Sequence, residues 1–596
     1  MTDIPRWDLS NVYPSLESAE FQAAVASVTR QIEDLEKFFS ENLKKTDSAT
    51  SPAELGALLG QSLDRLNALQ ELGYTIYAYI QSFVATDSRD TLAMKKMSEF
   101  QRMMVRVQML GTQFQAWVGK LPPALDSAIE SNPTAQAHAF NLKEIAEQAK
   151  YLMSEAEESL AAELSLSGSS AWSKLQGTIT SQLTVEFELD GKTQKLPMPA
   201  LINLRSHPDA DVRRRAYEAE NKAWDSVRES LAACMNGVKG EVNTLNKRRG
   251  REDALHSAID AARIDRPTLE AMLDSMKDSF PMFHRYFKAK ARHLGQEKLA
   301  WWDLFAPLGK TDTRYSWDEA RAFILENFAR FSPEMADFAR QAFDNRWIDA
   351  EQREGKRGGA FCMGIPAVKE SRILCNFDGS LDQVSTLAHE LGHGFHNYCA
   401  FQAGKTMMQQ DTPMTLAETA SIMCETIVMQ AVLQKVSNPQ EELAILETML
   451  NGDAQVIVDI YSRYLFEKEV FERREKSELS PDDLSEMMER AQKETYGELA
   501  AYQPYMWTWK PHYYYAGLSF YNFPYAFGLL FGTGLYAIYQ QRGEAFVADY
   551  KHLLASTGEA SAADLAARFG IDIRSREFWE GSLKVIEKKI ERYEQL

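Results

Sequence analysis

Cysteine is scarce and odd in number, with five residues scattered from Cys234 to Cys424. That usage does not fit a disulfide framework, and reduced thiols in a cytoplasmic protein are the expectation. Positive charge is also short. A formal charge of −19 leaves no basic stripe to neutralise phosphates, which argues against a nucleic-acid partner. Ordinary solubility accounts for the acidity. The opening stretch MTDIPRWDLSNVYPSLES lacks the apolar core of a secretory signal. One run, 511–541, lacks Asp, Glu, Lys and Arg and is long enough to cross a bilayer. It nevertheless carries His512, Asn522, Pro524, two glutamines and seven tyrosines, whose polar atoms need partners. A buried, aromatic wall of a cleft is expected there, and no membrane partner.

What is present is ordinary globular material, 45% hydrophobic and 25% charged, in a 596-residue chain long enough for two or more cores. Helix starts recur as a capping residue followed by proline: Ser51-Pro52, Ser332-Pro333, Thr412-Pro413, Asn438-Pro439 and Ser480-Pro481. After the first, Leu55, Leu58, Leu59, Leu63, Leu66, Leu69 and Leu72 keep helical spacing. Strand signals are few. LTVEFELDGKTQKL, 183–196, alternates around Asp190-Gly191 and predicts a hairpin. GGAFCMGIPAVKESRILCNF, 358–377, is a second β candidate. The expectation is a mostly α protein, with an N-terminal helical domain over 1–195 and a chemistry-bearing region over 196–596.

Histidine is rare as well, ten in the chain, yet three of the ten fall with a glutamate inside residues 389–396 of TLAHELGHGFH. Ser380 followed by Gln383 predicts a helix from Leu381. Leu381, Val384, Ala388, Leu391, Phe395 and Tyr398 then form one apolar stripe, with His389 and His393 roughly 130° around from it. One turn apart, the two imidazoles can converge on one metal ion. Glu390 lies beside them, placed to reach a bound water rather than the ion. An open site needs a third ligand. His396 is seven residues from His389, about 10 Å along the axis, too far for a straight helix to use. It is expected in a supporting or packing role. The better candidate is Glu418, on the next predicted helix. Glu425, seven residues on, could hold a ligating histidine through its other ring nitrogen; its alternative is an exposed helix charge. Two histidines and a glutamate with one open position favour a single Zn2+.

HELGH, a glutamate 25 residues after the second histidine and another seven further on resemble the thimet-oligopeptidase family of zinc metallopeptidases, in its oligoendopeptidase F branch. WDLSNVYPSLES, LAWWDLFAPL from Leu299, KRGGAFCMG from Lys356 and FYNFPYAFG from Phe520 extend the likeness over nearly the whole chain. The resemblance implies a helical, zincin-like metallopeptidase with a deep substrate channel and a small β-sheet beside the motif helix. It implies His389, His393 and Glu418 as zinc ligands and Glu390 as general base. His512, Tyr521 and Tyr525 match residues that act on the scissile carbonyl. The spacing from His512 to those tyrosines is stretched by AGLSF, and Gly528 stands where some relatives carry tyrosine, so Tyr513, Tyr514 and Tyr515 remain alternatives. Substrates would be short, unfolded oligopeptides. Gly358, Gly359, Ala360 and Phe361 begin a segment that could offer an edge strand to an extended peptide, with a plain structural strand as the alternative. Two rival readings share these residues: a carboxypeptidase or dipeptidyl carboxypeptidase that grips a free chain end, and a non-catalytic peptide-binding protein. Oligomeric state is not legible in the sequence.

Overall fold

A computed structural model describes residues 4–309 and 313–596. Helices dominate it, and most start where a side chain caps the first turn. Ser51, Ser332, Asn438 and Ser480 each accept a backbone N–H and each precedes a proline at the first helical position. At Thr412-Pro413 the expectation is off by one. Pro413 itself is the N-cap in extended conformation and the helix begins at Met414.

Contacts divide the chain into two compact units, each built from three stretches: residues up to 151 with 313–432 and 538–570, and residues 152–312 with 433–537 and 571–596. Residue 195, where the sequence suggests a boundary, lies in a strand of the second unit.

In the first unit, helices Ala19–Glu41, Pro52–Thr86 and Thr91–Val118 share an apolar core that includes Leu55, Leu59, Leu63, Leu66 and Leu69 of the predicted stripe. Beside it lies a three-stranded sheet. The hairpin β1 (Thr184–Leu189) and β2 (Lys192–Pro197) belongs to the other unit; the sheet is formed by β3 (Ile348–Asp349), β4 (Phe361–Ile365) and β5 (Glu370–Leu374) in the order β3-β5-β4. β4 and β5 are antiparallel, while β3 runs parallel to β5. The N-terminal phrase WDLSNVYP is fastened to this sheet. Buried Arg372 donates to the Asp8 carbonyl (3.0 Å) and to Asn11 (2.7 Å). Lys356 of the KRGG phrase is also buried, with its ammonium on the carboxylate of Asp349 (2.8 Å) and the carbonyl of Cys375 (2.6 Å). Both phrases therefore serve the architecture.

In the second unit, Asp190 and Gly191 both adopt positive φ (52° and 72°), as a tight two-residue hairpin with right-handed strand twist requires. Helix Arg266–His293 packs along Arg576–Glu594, and Ile460–Arg474 along Pro481–Tyr496. A π-helical segment, Gln455–Asp459, leads into Ile460–Arg474. Among the described residues one helical stretch, Met414–Lys435, has the length and hydropathy of a membrane span; it is 56% buried and carries both candidate glutamates. The uncharged run 511–541 is mostly buried.

Candidate metal centre

The motif lies on helix Leu381–Gln402, which starts at the residue the capping pattern predicts. Ser380 accepts from the Gln383 N–H (3.3 Å), but Gln383 does not return the bond. Val384, Ala388, Leu391 and Phe395 are fully buried, and Tyr398 is half-buried. Phe395 and Tyr398 of this face pack against Phe338, while Asn397 and Phe401, on an adjacent face of the helix, meet β4 and β5. The histidine face is thereby turned away from the core.

His389 and His393 project from adjacent turns, with ring centroids 4.9 Å apart. Facing them is Glu418, whose Oε2 lies 3.2 Å from His389 Nε2 and 3.4 Å from His393 Nε2. One ligand atom from each of the three residues falls within 4.8 Å of the others. Glu418 does not sit inside a continuous helix. It occupies a break (φ −87°, ψ 3°) between Met414–Ala417 and Thr419–Lys435. Ser421 Oγ donates to the same Oε2 (2.6 Å) and orients it. On the far side of His389, Nδ1 meets Glu425 Oε2 at 3.1 Å. That contact assigns the proton to Nδ1 and leaves Nε2 as a lone-pair donor.

The electrostatics of the cluster suit a cation. Burial works to lower the pKa of His389, but Glu418 and Glu425 outweigh it and raise it to about 10. Burial likewise opposes ionisation of Glu418, yet its hydrogen bonds with His389 and His393 hold it well below the usual carboxylate range. The two carboxylates draw positive charge onto His389, and a divalent ion held at its Nε2 would take the place of that second ring proton. Glu390 is 6% exposed, and its Oε2 has no hydrogen-bond partner among the described residues. Burial raises its pKa, partly offset by His393 and His389. An orphaned, basic oxygen beside the donor set is what a general base requires before its water arrives. His396 points elsewhere. Its Nε2 bonds Thr557 Oγ1 (2.9 Å), and burial lowers its pKa to about 4, so it is a neutral packing residue.

Two residues that sequence reasoning passed over shape this centre. A Cβ at Gly392 would sit 2.6 Å from both the Ala420 carbonyl oxygen and Ser421 Cα. The glycine between the two histidines is therefore what lets the Glu418 segment approach. Its signal was available, because glycine inside a helix costs about 1 kcal/mol relative to alanine and calls for a packing reason. Ser421 carried no comparable mark.

The remaining candidates separate. β4 is an edge strand beginning at Phe361, whereas Gly358, Gly359 and Ala360 lie in the loop before it. The Gly359 carbonyl already accepts from Asn376 (2.8 Å), so this stretch does not extend the strand. In the second unit, His512, Tyr521 and Tyr525 gather together. The His512 and Tyr521 rings are 5.7 Å apart, and the Tyr521 and Tyr525 hydroxyls meet at 2.5 Å. Tyr513 and Tyr514 are fully buried, and the Tyr514 hydroxyl is spent on the Trp507 carbonyl (3.0 Å). These two alternatives are core residues, while Tyr515 is exposed at 45%.

Comparison with known proteins gives the family. Residues 203–585 match peptidase family M3, and residues 123–184 match the family described as oligopeptidase F. The chain is 25% identical to oligopeptidase PepF of Bacillus subtilis, over 99% of this chain and 87% of that protein. It is 24% identical to group B oligopeptidase PepB of Streptococcus agalactiae, over 99% and 97%. In fold it is similar to the crystal structure of oligoendopeptidase-F from Enterococcus faecium (TM-score 0.69, 19% identity, 97% and 98% coverage). A match that runs through well over half of the chain and spans the whole His-His-Glu cluster places this protein in peptidase family M3.

Proposed function

We propose that the protein is a zinc-dependent endopeptidase that hydrolyses internal bonds of short, unfolded oligopeptides. The observation that carries this reading is the convergence of His389, His393 and Glu418 within 4.8 Å, with the unpartnered Oε2 of Glu390 beside them. Three neutral or anionic N and O donors suit zinc. When bound there, the ion would acidify a water and polarise the substrate carbonyl.

The protein's own groups do the rest. Glu390 Oε2 takes the proton of the attacking water as the new C–O bond forms. It then delivers that proton to the amine nitrogen as the C–N bond breaks. Burial supports both halves of this task by keeping the carboxylate basic. Glu425 holds the His389 ring, and Ser421 the Glu418 carboxylate, so neither must reorganise. His512, Tyr521 and Tyr525 supply donors to the developing oxyanion, where loss of one donor typically costs about 3–4 kcal/mol of barrier. Edge strand β4, from Phe361, offers an extended peptide main-chain hydrogen bonds with little sequence demand. The names of the two relatives support oligopeptides as substrates. Five unpaired cysteines, four of them buried, support a reducing, cytoplasmic setting.

The test is Glu390→Gln, which keeps size and removes basicity. With metal content unchanged, turnover of a quenched oligopeptide blocked at both ends should fall by at least about 100-fold. Unchanged turnover removes Glu390 from its role. Failure of the wild type to cut the blocked peptide, with cleavage only beside free ends, would replace the endopeptidase reading with a chain-end peptidase.

A further inference from the structure

His512 sits in the short turn Pro511–Tyr514, 7% exposed. Its Nε2 lies 2.8 Å from Nδ2 of Asn522, and Nδ1 makes no hydrogen bond among the described residues. Which atom of Asn522 faces the ring decides where the proton of His512 resides. The choice is made from behind. Arg463 NH1 lies 3.3 Å from Asn522 Oδ1, and a guanidinium has donors only. The amide oxygen must therefore face Arg463, and the NH2 group must face His512. A neutral imidazole that accepts at Nε2 carries its proton on Nδ1. A doubly protonated ring would set N–H against N–H at the Asn522 contact.

The clamp is itself held. Arg463 is paired with Asp459 of the π-helical segment. One turn further along the same helix, Glu467 Oε2 accepts the backbone N–H of Phe520 (3.1 Å), while its Oε1 takes a buried salt bridge from Lys239 (2.6 Å). Phe520 adopts φ 54°, an uncommon conformation for a bulky residue, directly before Tyr521 and Asn522. Asp459, Arg463 and Glu467 thus form a polar ridge, spaced by four residues, that fixes both the backbone of the 520–522 segment and the Asn522 amide. Strain of this kind persists only where the surroundings over-determine it.

We propose that Asn522 is a positioning residue: oriented by Arg463, its amide locks His512 as the neutral Nδ1–H tautomer, so that the ring presents a hydrogen-bond donor and never a cation. This rests on the reading of His512 as a residue that meets the substrate carbonyl. Burial, reinforced by Arg463, Lys510 and Lys239, lowers the His512 pKa to about 2, in keeping with a ring that stays neutral.

Asn522→Asp separates this role from a structural one. Aspartate has the same shape and pairs well with Arg463, so a mere cross-link would tolerate it better than alanine. Its oxygens only accept, however, and it demands a proton on Nε2. Asn522→Asp should lower kcat by roughly 100-fold, as for a misdirected oxyanion donor, with KM within about threefold and a larger loss than Asn522→Ala. In a His512→Ala background, Asn522→Asp should add nothing. A loss milder than that of alanine, or none, overturns the proposal. Should His512→Ala alone retain full activity, the reading of His512 has failed instead, and the proposal falls with it. Nitrogen-15 spectra of histidine-labelled wild-type protein, with His512 assigned by its loss in His512→Ala, give a check that needs no folded Asn522 variant. A protonated Nδ1 and bare Nε2 are expected, and the reverse pattern overturns the assignment.

Discussion

Replacing Gly392 by alanine is the sharpest perturbation of the metal centre that leaves every ligand in place. Local propensity favours the change by about 1 kcal/mol, because alanine is the better helix former. Tertiary packing opposes it. The new Cβ would lie 2.6 Å from the Ala420 oxygen and from Ser421 Cα, where ordinary contact begins near 3.4 Å. Relief requires the Glu418 segment to withdraw by about 0.8 Å, since both clashing atoms are backbone and neither can rotate away. Ligand distances in metal sites tolerate only about 0.2 Å, so Glu418 would lose register with His389 and His393. Overpacking of this size costs about 1–3 kcal/mol, outweighing the propensity gain. We expect zinc affinity, measured by competition with a chromogenic chelator, to fall by 10-fold or more. Turnover at saturating zinc should fall about 100-fold, as for an ångström-scale misplacement. Gly111→Ala is the control. It also lies within a helix, Thr91–Val118, and its Cβ would meet nothing within 4 Å, so it should hold or raise stability without touching zinc affinity. Wild-type zinc affinity and turnover in Gly392→Ala would refute the claim that this glycine sets the approach of Glu418.

Chelation should abolish turnover and zinc should restore it; saturating zinc at 1,000 times Kd should also stabilise the fold by about 4 kcal/mol, seen as a raised Tm. Glu425→Gln should weaken metal binding by about 10- to 100-fold while leaving the fold intact, because His389 loses the partner that orients its ring; an unchanged chelator midpoint would return Glu425 to an ordinary helix charge. Glu220, buried beneath Trp224 and Gln503, has its pKa raised by burial from 4.5 to about 7, with Trp224, Arg205 and Lys510 offsetting part of the effect. A raised folded pKa stabilises below 4.5, and that contribution is lost as pH rises through 7, so Glu220→Gln should be more stable than wild type at pH 8. The advantage, at most roughly 3 kcal/mol, should shrink toward pH 5 in paired urea titrations; parallel pH profiles for the two proteins would contradict the assignment.

Much of this protein was legible because its decisive signals are local. A capping serine, a heptad-like stripe and two histidines four apart all act within one helix, and 3.6 residues per turn converts their spacing directly into a shared face. The positive-φ turn of the hairpin is equally local, since Asp-Gly tolerates the left-handed region that the twist demands. Proline at a helix start is less sharp. At Thr412-Pro413 the same dipeptide moved the cap by one residue, because proline is compatible with both the cap and the first turn.

Sequence alone determined the helical class, the motif helix with its buried and histidine-bearing sides, and the types of donor available to an ion. Tertiary structure alone decided that Glu418 reaches both imidazoles from a break between two helices, that Gly392 makes room for it, and that His396 turns away to Thr557. It also decided the two-residue strand β3, the interleaved compact units and the Arg463-Asn522-His512 relay. The reason is range. Periodicity reports which side of an element is buried, but the partner across that face is chosen by packing between residues far apart in the chain, where no spacing rule applies.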